Sequence, residues 1–395
     1  MKRIILKPGE ENRILAGHPW VYDNEVAQIL EGSGAGARPA NLEPGEPANV
    51  ESSRKRYLGR AFVNPQSKII ARIYSPSKEG VDKGFFKRRI REALGRRAMS
   101  PGLLPAEPGT ERTAAGDTPQ DSGRLLFGEA DFLPGLIIDR FRGWPLADIE
   151  AAVCELPLTF AAVQDKLGPP SSWLSLQFLI YGIDCRQEEI LAALEEALEP
   201  QAGIYEKSGA RVRELEGLPL REGVLRGAFP AGGIVIFENG LPFLVDPAEG
   251  QKTGHFFDQK ENRLWAACFG RSLFDERGTG DSPARILDAC SYTGGFAIHL
   301  VRLSAVWGSN VRAAAVDVSA AALETLKKNA RLNRIADRIE TAEADVFEDL
   351  RLRDQRKEKF DMVILDPPAF AKSRSALGEA LKGYREINYR ALRLL

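Results

Sequence analysis

Four carboxylates, Asp288, Asp317, Asp345 and Asp366, stand where short apolar runs end in the last third of the chain. The runs, at 285–288, 313–316, 339–342 and 361–365, read as strands alternating with helices. In a parallel sheet of that kind a ligand sits outside the carboxyl ends of the strands. A carboxylate there can take both hydroxyls of a ribose, and Asp317, 23 residues after Gly294, has the position for it. The pattern points to a nucleoside. Taken singly, each residue has a blander reading. Asp317 could be a helix N-cap ahead of Ser319, Asp345 a loop acid, and Asp366-Pro367-Pro368 a rigid strand exit. Their common place on one rim argues for a site.

The loop after the first strand, Asp288-Ala289-Cys290-Ser291-Tyr292-Thr293-Gly294-Gly295-Phe296, narrows the ligand. A dinucleotide fold needs G-x-G-x-x-G so that a pyrophosphate can rest on a helix N-terminus. That spacing is absent, which disfavours a nicotinamide oxidoreductase. S-adenosylmethionine carries no phosphate and needs close backbone approach plus an acid for its ribose. The loop fits it better.

Helices are expected at 258–268, 295–303, 320–333, up to 353, and 376–395, with a hairpin of 234–237 and 241–245 around Asn239-Gly240. The resulting fold class is α/β with a doubly wound parallel sheet. Ahead of it, short strand-like runs over the first 75 residues suggest a small β-rich unit, and 187–198 reads as an amphipathic helix. Stretches 31–39, 100–122 and 276–283 have the Gly, Pro, Ser and Asp content of loops.

Composition sets the bounds. The 395 residues carry 54 Lys and Arg against 55 Asp and Glu, so global basicity argues for nothing. No run approaches the roughly 20 apolar residues of a membrane span, and the start lacks a signal-peptide core, so a cytoplasmic protein is expected. Cys154, Cys185, Cys268 and Cys290 lie far apart and form neither a zinc site nor a disulfide framework. Cys154, Cys185 and Cys268 read as buried small hydrophobes. Charge is local instead: 54–97 holds 14 basic residues and 3 acidic ones. Such a surface suits a phosphate backbone, with Arg54, Lys55, Arg56, Lys87, Arg88 and Arg89 as contacts. Interleaved Tyr57, Phe62, Tyr74, Phe85 and Phe86 could stack on bases, although most are expected in the core.

Three runs carry a more specific likeness. Glu238 to Asp246, Lys252 to Arg263 (K-T-G-H-F-F-D-Q-K-E-N-R) and Ser291 to Phe296 resemble the large-subunit rRNA cytosine-C5 methyltransferases with an N-terminal PUA domain. His18-Pro19-Trp20-Val21-Tyr22 is similar to the PUA opening, and Gly128-Glu129-Ala130-Asp131 with Leu133-Pro134-Gly135 is similar to that family's middle domain. The resemblance implies a PUA-like RNA-binding domain at 1–75, an α+β middle domain at 76–200 and a Rossmann-like class I methyltransferase domain at 201–395. It implies S-adenosyl-L-methionine as cofactor and 23S rRNA as partner, with a homodimer among the allowed assemblies. Asp258, Gln259 and Arg263 would hold the methionine end. Asp288, Tyr292 and Gly294 would line the loop, Asp317 would bind ribose, Asp345 would approach the adenine amino group, and Asp366 with Pro367 would meet the target base. Read without the resemblance, Arg263 is a solvated helix arginine.

Carbon 5 of cytosine is a poor nucleophile, so a thiolate must first add to carbon 6. The family places that cysteine beyond a fifth strand, whereas this sequence stops at Leu395, in the helix after the fourth. The expectation is a C-terminally truncated sheet, an open edge at strand four and leucines near 392–395 with no sheet to cover. Cys290 lies in the cofactor loop, outside the nucleophile's motif. A guanine-N7 rRNA methyltransferase and a non-catalytic RNA-binding remnant are the alternatives.

Overall fold

The computed structural model describes residues 1–32, 36–98, 122–152, 159–248, 250, 254–277, 282–371 and 376–395. Cys154, Lys252, Thr253 and most of the expected loop at 100–122 lie outside the described residues, as do parts of those at 31–39 and 276–283.

The chain begins with β1 (Lys2–Leu6), α1 (Glu11–Leu15), β2 (Trp20–Val21), β3 (Val26–Glu31), β4 (Arg38–Pro39), β5 (Pro47–Glu51), β6 (Tyr57–Val63) and β7 (Ala71–Ser75). These strands form one sheet in the order β2-β7-β6-β5-β1-β3-β4. β1 runs antiparallel to β3 and parallel to β5. Period-2 alternation turns Ile4, Leu6, Ala48, Val50, Ala61 and Val63 to a common core.

There follow α2 (Lys83–Ala98), β8 (Gly123–Phe127), β9 (Leu136–Pro145), α3 (Leu146–Ala152), α4 (Phe160–Leu167) and β10 (Ser171–Phe178). Next are α5 (Tyr181–Asp184), α6 (Gln187–Ala197), β11 (Gly203–Ser208), α7 (Val212–Leu215) and β12 (Arg221–Gly227). Here the strand order includes β12-β11-β10-β9, with β8 paired to β9. Phe62, Tyr74, Phe85 and Phe86 are all buried in one cluster with Leu126, Leu174 and Ile190. That burial removes four of the five aromatic residues expected near RNA from any role in base stacking.

The remaining elements are β13 (Ile234–Glu238), β14 (Leu241–Val245), α8 (Lys260–Arg277), β15 (Ala284–Ala289), α9 (Gly295–Val306) and β16 (Val311–Asp317). The last are α10 (Ala320–Leu332), β17 (Ile339–Glu343), α11 (Val346–Gln355), β18 (Met362–Leu365) and α12 (Leu377–Leu394). Strands β17-β16-β15-β18 form a parallel sheet. The chain order reverses between β15 and β18, the place where an α/β sheet opens a ligand crevice. The α/β expectation holds.

Two compact units result. One comprises Met1–Pro145, Pro169–Ile234 and Val245–Phe257; the other comprises Leu146–Gly168, Val235–Leu244 and Asp258–Leu395. In the first, Glu216 is buried and accepts from Arg72 Nη2 at 2.8 Å, Ser67 Oγ at 2.8 Å and Asn64 Nδ2 at 2.9 Å. A buried charge so fully bonded ties α7 to the β6–β7 hairpin. In the second, α12 is amphipathic, and Ile387, Ala391 and Leu394 are buried. Ile387 and Leu394 pack with Leu287, Val346 and Leu350. Leu394 therefore does reach the sheet, against the expectation of uncovered leucines, because its helical period turns it inward. Leu377, Leu381, Tyr389, Leu392 and Leu395 are exposed.

Candidate functional site

The site is built on the four strand ends of the second unit. After β15 the chain turns sharply. Cys290 and Tyr292 adopt left-handed backbone with φ of 65° and 49°, and Gly294 follows at 86°. A side chain at Gly294 would bring its Cβ within 2.6 Å of Leu326 Cγ on α10, so only glycine allows this approach. The Gly294 N–H donates to Ser291 O at 2.9 Å, and α9 starts at Gly295. Such non-glycine left-handed residues are uncommon and concentrate at functional turns.

Asp288 is 1 % exposed, and its Oδ2 accepts the Ala297 N–H at 2.9 Å. Burial pushes this carboxyl up to about 7, against the opposing pull of that amide and of Arg263, while Asp366 and Asp317 push it further up. Asp317 is half-buried and spans two amides: Oδ2 accepts from Tyr292 N at 2.8 Å and Oδ1 from Ser319 N at 2.9 Å. Each oxygen keeps a second acceptor lone pair, so the carboxylate is fixed in place yet able to take hydroxyls. It is Ser319, not Asp317, whose side chain caps α10, accepting from Ala322 N.

Asp345 caps α11, with Oδ1 accepting from Phe347 N at 2.9 Å and Glu348 N at 3.2 Å. It is exposed. Asp366 is also exposed, and its Oδ2 accepts from Gln259 Nε2 at 3.0 Å. Gln259 Oε1 in turn accepts from Asn262 Nδ2 at 2.6 Å. Gln259 is thus brought to Asp366. Pro367 follows half-buried, and Asp258 is exposed beside Gln259. Burial raises the Cys290 thiol to about 12, and four acids of this rim, Asp317, Asp288, Asp366 and Asp345, add to the rise. Their shared effect on one thiol reflects their convergence.

Arg263 differs from the solvated helix arginine of the bare reading. It is buried, and its Nη1 lies 2.7 Å from Glu238 Oε1. Its Nε lies 2.5 Å from where a Gly295 side chain would begin, so the guanidinium packs across the start of α9. His299, fully buried, bonds through Nδ1 to Gly295 O at 2.7 Å and through Nε2 to Asn239 Nδ2 at 3.0 Å. This cluster lies behind the loop and holds it.

Three supports escaped the sequence reading. Glu238 and His299 carry no local signal of partnership, since Glu238 precedes Arg263 by 25 residues and lies in a separate hairpin. Asn329 was legible in principle as a polar residue on the apolar stripe of Leu323, Leu326 and Ala330. It is buried, donates to Thr293 O at 3.2 Å and accepts from Leu244 N at 2.6 Å, so it ties the loop to β14.

The cysteine expectations need correction. Cys185 and Cys268 are exposed. Cys268 shares the outward face of α8 with Trp265 and Phe269, because the inward positions are taken by Arg263, Ala267 and Phe274. Among the described residues no His, Cys, Asp and Glu group could hold a metal. No helix among them is long and apolar enough to cross a membrane.

The expected RNA contacts fall into two groups within the first unit. Arg54, Lys55 and Arg56 are exposed on the tight turn between β5 and β6, where Lys55 has φ of 61°, and their side chains make no ion pair among the described residues. Lys87 instead pairs with Glu196 at 2.6 Å, Arg88 with Glu79, and Arg89 with Glu79 at 2.8 Å and Glu92 at 3.1 Å. Half of the basic segment is neutralised within the fold.

Comparison with known proteins agrees with this geometry. A family profile described as a PUA-like domain matches residues 4–76, and one described as S-adenosylmethionine-dependent methyltransferase matches 173–395. Relatives named ribosomal RNA large subunit methyltransferase I, from Yersinia pseudotuberculosis and Yersinia pestis, are 32 % identical over 398 residues, covering 100 % of this chain and 82 % of theirs. A solved chain from Streptococcus mutans, provisionally described as a SAM-dependent methyltransferase, aligns with a TM-score of 0.68 at 18 % identity over 100 % of this chain and 83 % of that one. A second solved chain, provisionally described as a methyltransferase and complexed with SAH, gives 0.67 at 18 % identity with the same coverage. At that identity the structural likeness bears on fold alone.

Proposed function

The chain belongs to the S-adenosylmethionine-dependent methyltransferase family, and on that premise we propose that it methylates carbon 5 of a cytosine in large-subunit (23S) ribosomal RNA, in the cytoplasm. The observation that carries the reading is the convergence of Asp288, Asp317, Asp345 and Asp366 on the left-handed loop of 290–294. The donor set fits the cofactor: acids and backbone suit a cationic sulfonium and a ribose, and repel phosphate. When bound, S-adenosylmethionine supplies an electrophilic methyl group.

In this reading Asp317 takes the ribose hydroxyls, held still by the Tyr292 and Ser319 amides. Asp345 faces the adenine amino group, and Tyr292 and Gly294 line the loop. Asp258 and Gln259 stand at the methionine end. Arg263, held by Glu238, stiffens α9 from behind and so keeps Asp288 in place. Asp366 accepts from the cytosine amino group, as carboxylates do, with Gln259 fixing its orientation and Pro367 stiffening the strand exit. The parts of the chain at 1–75 and 76–200 would dock RNA, with Arg54, Lys55 and Arg56 the first phosphate contacts, and 201–395 would carry the transfer.

Cys290 cannot supply the thiolate that carbon-5 transfer needs, since a thiol raised to about 12 stays protonated at neutral pH. The same observation favours a second reading, methylation of guanine N7, which needs no thiolate. Full-length protein incubated with unmodified large-subunit rRNA and methyl-labelled cofactor, then digested to nucleosides for mass spectrometry, separates the two. Label in 5-methylcytidine supports the first reading, label in N7-methylguanosine the second.

A further inference from the structure

We propose that the short turn between β8 and β9 is a stacking platform for unpaired RNA bases, displayed by Phe127 and Phe132. The inference rests on the reading that this protein acts on rRNA, and it locates a contact which that reading leaves open. The two rings bracket the single 3-10 turn Gly128–Asp131 and are 50 % and 46 % exposed, where apolar rings of this size are ordinarily buried. Phe132 also holds left-handed backbone at φ 57°, a costly conformation for an aromatic residue, and the ring it orients is one that solvent reaches.

Both rings are held firmly. The Arg124 guanidinium lies 5.1 Å from the Phe127 centroid and is itself clamped to buried Asp139 by Nε at 2.8 Å and Nη2 at 2.9 Å. Arg89 lies 5.3 Å from the Phe132 centroid, anchored by Glu79 and Glu92. Asp131 fixes the turn between them, accepting from Phe127 N at 2.7 Å, Arg96 at 2.8 Å and Arg97 at 2.7 Å. A ring with a guanidinium on one side and solvent on the rest is pre-organised to take a base, and little ordering entropy remains to be lost.

The chemistry selects the occupant. Arg89, Arg96, Arg97 and Arg124 all carry carboxylate partners, so this turn offers π-faces rather than free charge. Exposed aromatic faces, each backed by a guanidinium, match single-stranded RNA, in which every base has a π-face.

The test compares a single-stranded RNA of about 12 nucleotides with an abasic ribose-phosphate strand of equal length, by fluorescence anisotropy across a salt series. Wild-type protein should bind the base-bearing strand more tightly. F127L and F132L, which keep apolar bulk, should each weaken that strand about fivefold or more and leave the abasic strand and the salt slope unchanged. F132N, suited to left-handed backbone, should match F132L, and circular dichroism melts should confirm folding. Equal affinity of wild type for the two strands, or variants without effect, would overturn the platform while RNA binding stands. Loss of a dimer on F127L or F132L in sedimentation would also overturn it, assigning the rings to a second copy. Failure of wild type to bind either strand would sink the rRNA reading and the platform together.

Discussion

Asp288 and Cys290 stand two residues apart, and burial, with neighbouring acids adding to it, pushes both toward the protonated form. For Asp288 the folded value of about 7 lies above the ordinary 3.8, so its contribution to stability is present below about 4 and is lost as pH rises through 7. D288N should remove that dependence. It keeps an oxygen for the Ala297 amide, so at pH 8 it should melt above wild type, by about 2–4 °C for each kcal/mol of relieved desolvation. A Tm difference that does not change between pH 5 and 8 would count against this. C290S should leave methyl transfer by full-length protein within about twofold, because a thiol of this kind is no nucleophile; loss of activity on that change would return Cys290 to the catalytic role. The acids were legible one by one in the sequence, since each ends an apolar run. What the residues alone could not show, without the family resemblance, was the burial of Arg263, which looks solvated on a helix and is buried where Glu238 reaches it from a separate hairpin.

At the scale of elements, the second unit is a clamp. Helix α8 delivers Arg263 to β13, and the 3-10 turn Phe257–Gln259 just before it delivers Gln259 to the loop after β18, so one short stretch touches both sides of the rim. Replacing Arg263 by Met would take from the buried Glu238 carboxylate its guanidinium partner, at a cost of about 3 kcal/mol. The double variant R263M/E238Q should recover much of it, measured by urea unfolding; no recovery would show that the pair is not coupled. The loop after β18 is held separately. Phe370 stacks 4.5 Å from Tyr384 and 5.5 Å from Phe347, and its N–H donates to the Tyr384 hydroxyl at 3.3 Å. Y384A should raise KM for RNA and lower kcat by about tenfold, with cofactor affinity unchanged, whereas Y384F should retain the stack and most of the rate. A fall in cofactor affinity would mean that the loop serves the other side of the site.

Elements with local rules were the readable ones. The Asn239-Gly240 hairpin adopts φ of 51° and 78° as its dipeptide demands, and β15, β16 and β17 each extend one or two residues past the expected runs. Helix α8 runs to Arg277 rather than 268, since Gly270 is tolerated inside it where Phe274 packs against its small face. The N-terminal sheet was another matter. Its parallel pairing of β1 with β5, on the side of β1 away from antiparallel β3, is a long-range choice that no local period encodes.

For the whole molecule, the nearly balanced charge leaves RNA affinity to a few free cations. Replacing Arg54, Lys55 and Arg56 together by Ala should flatten the slope of log K against log salt by about two, roughly 0.7 per lost phosphate contact on single strands. An unchanged slope would move the phosphate contacts elsewhere. All of this depends on the rim of acids being a cofactor socket, which isothermal titration of the folded protein tests without any need for RNA or a nucleophile. S-adenosylmethionine and its demethylated product should each bind at one site with measurable heat, and D317N should weaken both by about tenfold, the value of one charged hydrogen bond. Absence of heat with either nucleoside, or binding indifferent to D317N, would contradict it.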